Sequence, residues 1–178
     1  MKNNIARVLL TKEEIAEKVK SLAKALKDEY QDKNPLILCI LKGSLIFTAD
    51  IVRELDFPCE IDFMQVSTYG MSAVTTGNFV IKKDVDTKVC DRDIIVIEDI
   101  LDTGVTLSKL LPVLKEKGAR SVSLCVLLDK PERRKVEIKA DYIGFEIENE
   151  FVVGYGLDYA EKYRNLPYIG VLKREVYE

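Results

Sequence analysis

The densest concentration of reactive groups in the chain is Glu98-Asp-Ile-Leu-Asp102-Thr-Gly-Val-Thr106, with three carboxylates and two threonine hydroxyls in nine residues. Adjacent carboxylates such as Glu98 and Asp99 repel one another unless cations or hydroxyls receive them, so the pair calls for a ligand. Thr103-Gly104-Val105-Thr106 stands where a helical pattern begins. Free backbone N–H groups at a helix start, with two hydroxyls and a glycine, make a cradle for phosphate. An acid pair beside such a cradle suits a phosphorylated sugar, whose hydroxyls would meet the carboxylates and whose phosphate would meet the N–H groups. Helix capping by Asp102 or Thr103 explains Thr103 equally well but leaves Glu98 and Asp99 without a reason.

The chain contains no histidine, which removes Ser-His and Cys-His nucleophiles and every His-ligated metal site. Acid-base work then falls to Asp, Glu, Lys, Tyr or water, and any metal would be a hard, oxygen-bound cation such as Mg²⁺. Cys39, Cys59, Cys90 and Cys125 include no C-x-x-C pair. Reduced and mostly buried thiols are expected.

The elements that must position these groups are legible from periodicity. Thr11-Lys-Glu-Glu14 is a capping box, and Ile15, Val19, Leu22, Ala23 and Leu26 follow on one face, predicting a helix over Thr11 to Asp28. Leu36–Leu41, Ile94–Ile97 and Ser121–Leu128 are apolar runs of the kind that form strands covered on both faces. A second helix is expected through Ile46, Phe47, Ile51, Val52 and Leu55. A third should carry Leu107, Leu110, Leu111 and Leu114 inward and end at Gly118, with a local kink at Pro112. Further strands are expected over Cys59–Val66, Phe79–Ile81 and Tyr142–Ile147, and Phe151-Val-Val153 begins a last segment. Ser67–Gly77, small, polar and glycine-bearing, is expected to be a mobile loop that closes over the site.

Strands alternating with helices predict an α/β fold, a parallel twisted sheet flanked by helices, with a small hood built from the two ends of the chain. The 178 residues, 47% apolar and without a linker or repeat, are expected to form a single domain, 1–178. A net charge of -3 disfavours nucleic acid as a partner. The absence of a signal-like start or a bilayer-length apolar run predicts a soluble cytoplasmic protein with no membrane partner. In parallel sheets ligands bind beyond the carboxyl ends of strands, which groups Lys42, Gly43, Glu98, Asp99, Asp102 and Lys130. Neither G-x-x-x-x-G-K-[ST] nor G-x-G-x-x-G occurs.

Val96-Ile-Glu-Asp-Ile-Leu-Asp-Thr-Gly-Val-Thr-Leu107 resembles the phosphoribosyl-pyrophosphate motif of type I phosphoribosyltransferases. Leu41-Lys-Gly43 is similar to that family's pyrophosphate loop and Ser67-Thr-Tyr69-Gly70 to the start of its closing loop. Leu127-Leu-Asp-Lys-Pro131 looks like its purine-binding segment and Phe151-Val-Val-Gly-Tyr-Gly-Leu-Asp158 like its base-stacking segment. The combination resembles the hypoxanthine-guanine subgroup. That resemblance implies purine salvage: Mg²⁺-dependent transfer of a phosphoribosyl group from phosphoribosyl pyrophosphate to a 6-oxopurine, giving IMP or GMP and pyrophosphate.

Carried onto these residues, the resemblance implies that Glu98 and Asp99 hold the ribose hydroxyls, partly through Mg²⁺. Asp102, Thr103, Gly104, Val105 and Thr106 would hold the 5-phosphate. Asp102 would also be the catalytic acid or base at purine N7. Leu41, Lys42 and Gly43 would bind pyrophosphate, in a loop that in the family carries a non-proline cis peptide, with Arg164 reaching the same group. Tyr69 would come with the closing loop, Lys130 would donate to O6, Phe151 would stack on the base and the Val152 main chain would bond its edge. Asp158 would support a second Mg²⁺ through water, and the assembly would be a homodimer or homotetramer. Some relatives carry lysine where Val105 stands here, so one cationic phosphate contact is missing. Two other readings stay open: a nucleotide- and RNA-binding regulator on the same fold, and a phospho-accepting signalling domain.

Overall fold

A computed structural model of the chain describes residues 1–69 and 78–178. In chain order the elements are β1 (Ile5–Leu10), α1 (Lys12–Tyr30), β2 (Leu36–Ile40), α2 (Leu45–Glu54), β3 (Glu60–Tyr69), β4 (Asn78–Lys83), β5 (Asp93–Leu101), α3 (Val105–Glu116), β6 (Ser121–Asp129), β7 (Tyr142–Glu146), β8 (Val152–Val153), β9 (Ile169–Leu172) and α4 (Arg174–Tyr177). Helix α1 starts as its sequence requires: the Thr11 side chain accepts from the Glu14 N–H while Glu14 accepts from the Thr11 N–H at 2.8 Å, the reciprocal capping box. Its buried residues are Ile15, Val19, Leu22, Ala23, Leu26 and Tyr30, the predicted stripe continued by one turn.

The main sheet has the order β4-β3-β2-β5-β6-β7. Strands β3, β2, β5, β6 and β7 run parallel and β4 pairs antiparallel with β3, so the sheet is parallel with one reversed edge strand. Every residue of β2 is buried, as a strand covered on both faces must be. Its alternate residues face two cores. Ile37 joins Ile95, Ile97 and Leu127 under α1 and α2, whereas Leu36 and Leu38 join Ile94, Val96 and Val126 under α3. Helix α3 runs through Pro112, which lies on its exposed side, and buries Leu107, Leu110 and Leu114.

Three expectations change. The first part of the predicted loop, Ser67 to Tyr69, is strand: it pairs with Val80, Phe79 and Asn78 of β4. The rest of that loop, residues 70–77, lies outside the described residues. Glu98 and Asp99 stand inside β5 rather than in a turn after it, because pairing with β6 continues through Glu98↔Val126 and Leu101↔Asp129. Leu111 is only partly buried.

The hood is a separate antiparallel sheet, β1-β9-β8, that joins the two ends of the chain. Its Leu10, Val152 and Ile169 are buried in the same core as Ile15, Leu26 and Ile95, which fixes it to the main sheet through shared apolar contact. No described helix is long and apolar enough to cross a membrane.

Candidate active site

The site begins where β5 stops being apolar. Asp99 is buried, and its Oδ1 accepts the Ile100 N–H at 2.8 Å. Glu98 is only partly buried as a residue, yet its Oε2 is enclosed with no hydrogen-bond partner among the described residues. Burial pushes the Glu98 carboxyl well above the usual carboxylate range, and the neighbouring Asp99 charge pushes it further. Burial raises Asp99 too, against the pull of its hydrogen bonds and of the Arg164 charge. Two carboxyls held in this condition favour the arrival of a cation or of hydroxyl donors.

The turn after β5 leads into α3, whose N-cap is Gly104 at φ 78. No side chain caps the helix, although the Thr103 hydroxyl lies 3.4 Å from the Val105 N–H. The turn is clamped from the β6 side. The Lys130 N–H bonds the Leu101 carbonyl at 3.0 Å, the Lys135 N–H bonds the Thr103 carbonyl at 3.0 Å, and the Arg134 guanidinium donates to the carbonyls of Leu101 and Asp102 and to the Asp129 carboxylate. A cavity of about 230 Å³ opens here, lined by Leu41, Glu98, Asp102, Thr103, Gly104 and Thr106, with Ile40, Val66, Ile100, Leu101 and Leu107 as its apolar wall.

A second cavity of about 410 Å³ adjoins the first and shares Ile100 and Asp102 with it. Its other walls include Lys130, Phe151, Val152 and Asp158. Lys130 is buried, donates from Nζ to the Glu150 carbonyl at 2.6 Å, and has its pKa lowered by that burial. Phe151 is 38% exposed in a wall of mixed polar and apolar residues that also includes Tyr177, whereas Val152 is buried. Asp102, at the junction, pairs through Oδ1 with Arg133 Nε at 3.0 Å.

Lys42, Gly43, Asp99 and Arg164 form a third group, where two loops meet the end of β5. The Leu41–Lys42 peptide is cis, as the resemblance implies for a pyrophosphate loop. Packing is close enough that a Cβ on Gly43 would stand 1.7 Å from the Asp99 side-chain Oδ2, and one on Gly156 would stand 2.0 Å from the Gly43 carbonyl oxygen. Arg164 donates to the Gly156 carbonyl at 2.8 Å and pairs with Asp158 at 2.9 Å and Glu161 at 3.4 Å; Lys42 Nζ meets Glu161 at 3.1 Å.

The predicted residues therefore fall into three adjoining groups rather than one. Glu98 and Asp99 are neighbours on β5 and Asp158 lies apart from them, and among the described residues no group of three or more His, Cys, Asp or Glu lies together. Asp158 stands in the second cavity, held by Arg164. Val105 opens α3 but is not part of either cavity wall, and Tyr69 ends β3. All four cysteines are free, with Cys39 and Cys125 buried, Cys59 partly so and Cys90 exposed. Sequence reading missed Arg133, Arg134 and Tyr177. Arg133 and Arg134 were visible only as basic residues following Lys130-Pro131, with no spacing that tied them to Asp102.

The phosphoribosyl transferase domain family matches residues 8–160. The chain is 55% identical to the hypoxanthine-guanine phosphoribosyltransferase of Bacillus subtilis over 178 residues, covering 100% of this chain and 99% of that one. It is 52% identical to the bifunctional protein TilS/HprT of Listeria monocytogenes over 177 residues, which are 99% of this chain and 27% of that protein. The crystal structure of a hypoxanthine phosphoribosyltransferase from Staphylococcus aureus superposes with a TM-score of 0.96 at 47% identity, covering 100% of this chain and 97% of that one. With a domain match over most of its length and relatives this similar end to end, the chain belongs to the phosphoribosyltransferase family and is an enzyme of its hypoxanthine-guanine, purine-salvage type.

Proposed function

We propose that the two adjoining cavities hold the two substrates: phosphoribosyl pyrophosphate in the cavity of Glu98 and Thr103–Thr106, and a 6-oxopurine in that of Lys130 and Phe151. The observation that carries this reading is the sharing of Asp102, which puts one carboxylate at the boundary between an acid-and-cradle pocket and an aromatic pocket with a buried ammonium.

The chemistry follows from the residues. Thr103, Gly104 and Thr106, with the first N–H groups of α3, bind and orient the 5-phosphate, Val105 contributing its main chain. Glu98 and Asp99 receive the ribose hydroxyls, and that contact relieves the cost of holding two buried carboxyls side by side. The base lies on the Phe151 ring with O6 on Lys130 and its edge on the Val152 main chain. Lys130 Nζ exchanges its bond to the Glu150 carbonyl for one to O6 or shares it between them. As purine nitrogen attacks C1 of the sugar and pyrophosphate leaves, Asp102 takes the N7 proton, a general-base contribution typically worth ~10²–10⁴-fold. Leu41, Lys42, Gly43 and Arg164 lie on the leaving-group side, where Arg164 must exchange its pairing with Asp158 or Glu161 to reach pyrophosphate.

Mg²⁺ fits the acid pair, since Glu98 presents a buried oxygen without a partner beside Asp99. When bound it supplies charge neutralisation for the sugar pyrophosphate. Asp158, already in the base cavity, is the proposed support for a second ion through water. The products are IMP or GMP and pyrophosphate. A homodimer or homotetramer in the cytoplasm is the proposed working form.

The test is Lys130→Met. Adenine presents an amino group where hypoxanthine and guanine present O6, leaving the buried lysine unpaired, so the wild type should use adenine poorly. The variant should lose kcat/KM for hypoxanthine and guanine while its KM for phosphoribosyl pyrophosphate changes little. A variant that keeps the wild-type preference for hypoxanthine over adenine would remove Lys130 from the base site.

A further inference from the structure

We infer that Tyr177 is a positioning residue of the base pocket, holding the Phe151 ring in place for the purine. The inference rests on the assignment of the Lys130–Phe151 cavity to the base. The Tyr177 ring lies against Phe151 with centroids 4.7 Å apart and planes 20° from parallel, a stacked pair. Tyr159 meets Phe151 edge-on at 5.7 Å and 87°, and meets Tyr177 at 6.5 Å and 66°. Each of the three rings therefore constrains the other two, in the offset-stacked and edge-on arrangements that aromatic quadrupoles favour.

The cluster is fixed to the hood. Val176 and Tyr177 pack on Val153, Tyr163, Leu166 and Leu172. The Leu172 N–H bonds the Phe151 carbonyl at 2.8 Å, the Lys173 N–H bonds the Asn4 carbonyl at 2.9 Å, and the Val176 N–H bonds the Lys173 carbonyl at 3.0 Å. Hood backbone thus ties α4 to the residue whose ring α4 supports. Phe151 needs that support, because a side chain 38% exposed at a cavity wall would otherwise lose rotamer freedom each time a base bound. The 4.7 Å spacing is too small to admit a purine, which needs about 3.5 Å to the ring on either side. Tyr177 lines the same cavity as Phe151; in the inferred arrangement the base takes the Phe151 face away from Tyr177, which backs the ring.

The experiment is steady-state kinetics of Tyr177→Ala, Tyr177→Phe and Phe151→Ala, each confirmed folded by circular dichroism. Tyr177→Ala should raise KM for hypoxanthine about threefold to tenfold, the range an aromatic pair is worth, with kcat and KM for phosphoribosyl pyrophosphate within about twofold of wild type. Tyr177→Phe keeps the ring and should restore the wild-type KM. A lower hypoxanthine KM in Tyr177→Ala would show that the ring obstructs the base, and an equal rise in both KM values would show general loosening; either overturns the inference. The Phe151→Ala control separates the levels. If it leaves hypoxanthine KM unchanged, the base-pocket assignment itself fails, whereas a raised value there with no change in Tyr177→Ala removes only the role of Tyr177.

Discussion

Glu98 and Asp99 show at the scale of single residues how a site can oppose the stability of its own fold. Both carboxyls sit above their usual range because burial penalises the charge, and an acid whose folded pKa is raised is destabilising once the unfolded chain ionises. At a pH low enough to protonate both states the effect is absent. It grows as pH rises past the unfolded carboxylate value and levels off above the folded one. Glu98→Gln should therefore raise the Tm of the ligand-free protein at neutral pH, by about 2–4 °C for each kcal/mol relieved in a chain of this size, and the gain should shrink as pH falls toward 4. The same variant should bind phosphoribosyl pyrophosphate more weakly by calorimetry. A lower Tm with unchanged affinity would mean that the acid is structural. The pair was legible in sequence because adjacent carboxylates after an apolar run have few structural uses. Arg133, Arg134 and Tyr177 were not, because a lone arginine or tyrosine reads as ordinary surface and acquires meaning only through contacts with Asp102, Asp129 and Phe151 distant along the chain.

Between elements, the site depends on how closely the Gly43 and Gly156 backbones approach each other and the Asp99 side chain. The carbonyl of Gly43 lies where a side chain on Gly156 would begin, and Gly156 has φ +103, a conformation that costs an L-residue about 1–2 kcal/mol by itself. Gly156→Ala should lower Tm by several degrees and raise KM for phosphoribosyl pyrophosphate more than KM for hypoxanthine, because it displaces the Leu41–Gly43 loop rather than the base wall. Equal effects on the two substrates, or none, would place that loop away from the leaving group. Most elements were readable from apolar periodicity, since β2, β5 and α1 bury the residues their patterns nominate and β6 does so from Leu124 onward, its first three residues being only partly buried. Element ends were less readable. Strand β5 continues through two acids because its neighbour β6 goes on offering backbone partners, and Ser67–Tyr69 is held as strand by β4; neither cross-strand pairing leaves a mark in the local sequence.

For the whole molecule, the hood and the main sheet share one buried core through Leu10, Val152 and Ile169 on one side and Ile15, Leu26 and Ile95 on the other. Residues 1–178 are therefore proposed to unfold as one unit. The chain has no tryptophan, and five of its eight tyrosines, Tyr155, Tyr159, Tyr163, Tyr168 and Tyr177, lie in the segment that runs from the base pocket through the hood to α4. Near-ultraviolet circular dichroism thus reports chiefly on that segment and far-ultraviolet on α1 to α3. Coincident thermal transitions are expected, and separate midpoints would show two independent units. The same union of parts brings the two cavities together at Asp102. The most direct measurement is pyrophosphate release with Mg²⁺, phosphoribosyl pyrophosphate and hypoxanthine, for the wild type and Asp102→Asn. The wild type should release pyrophosphate only when the purine is present. The variant should retain phosphoribosyl pyrophosphate binding while kcat falls by ~10²–10⁴-fold, the range of a lost general base. An Asn variant turning over at the wild-type rate, or a wild type that releases no pyrophosphate with any 6-oxopurine, would contradict the assignment of Asp102 as the residue between two substrate sites.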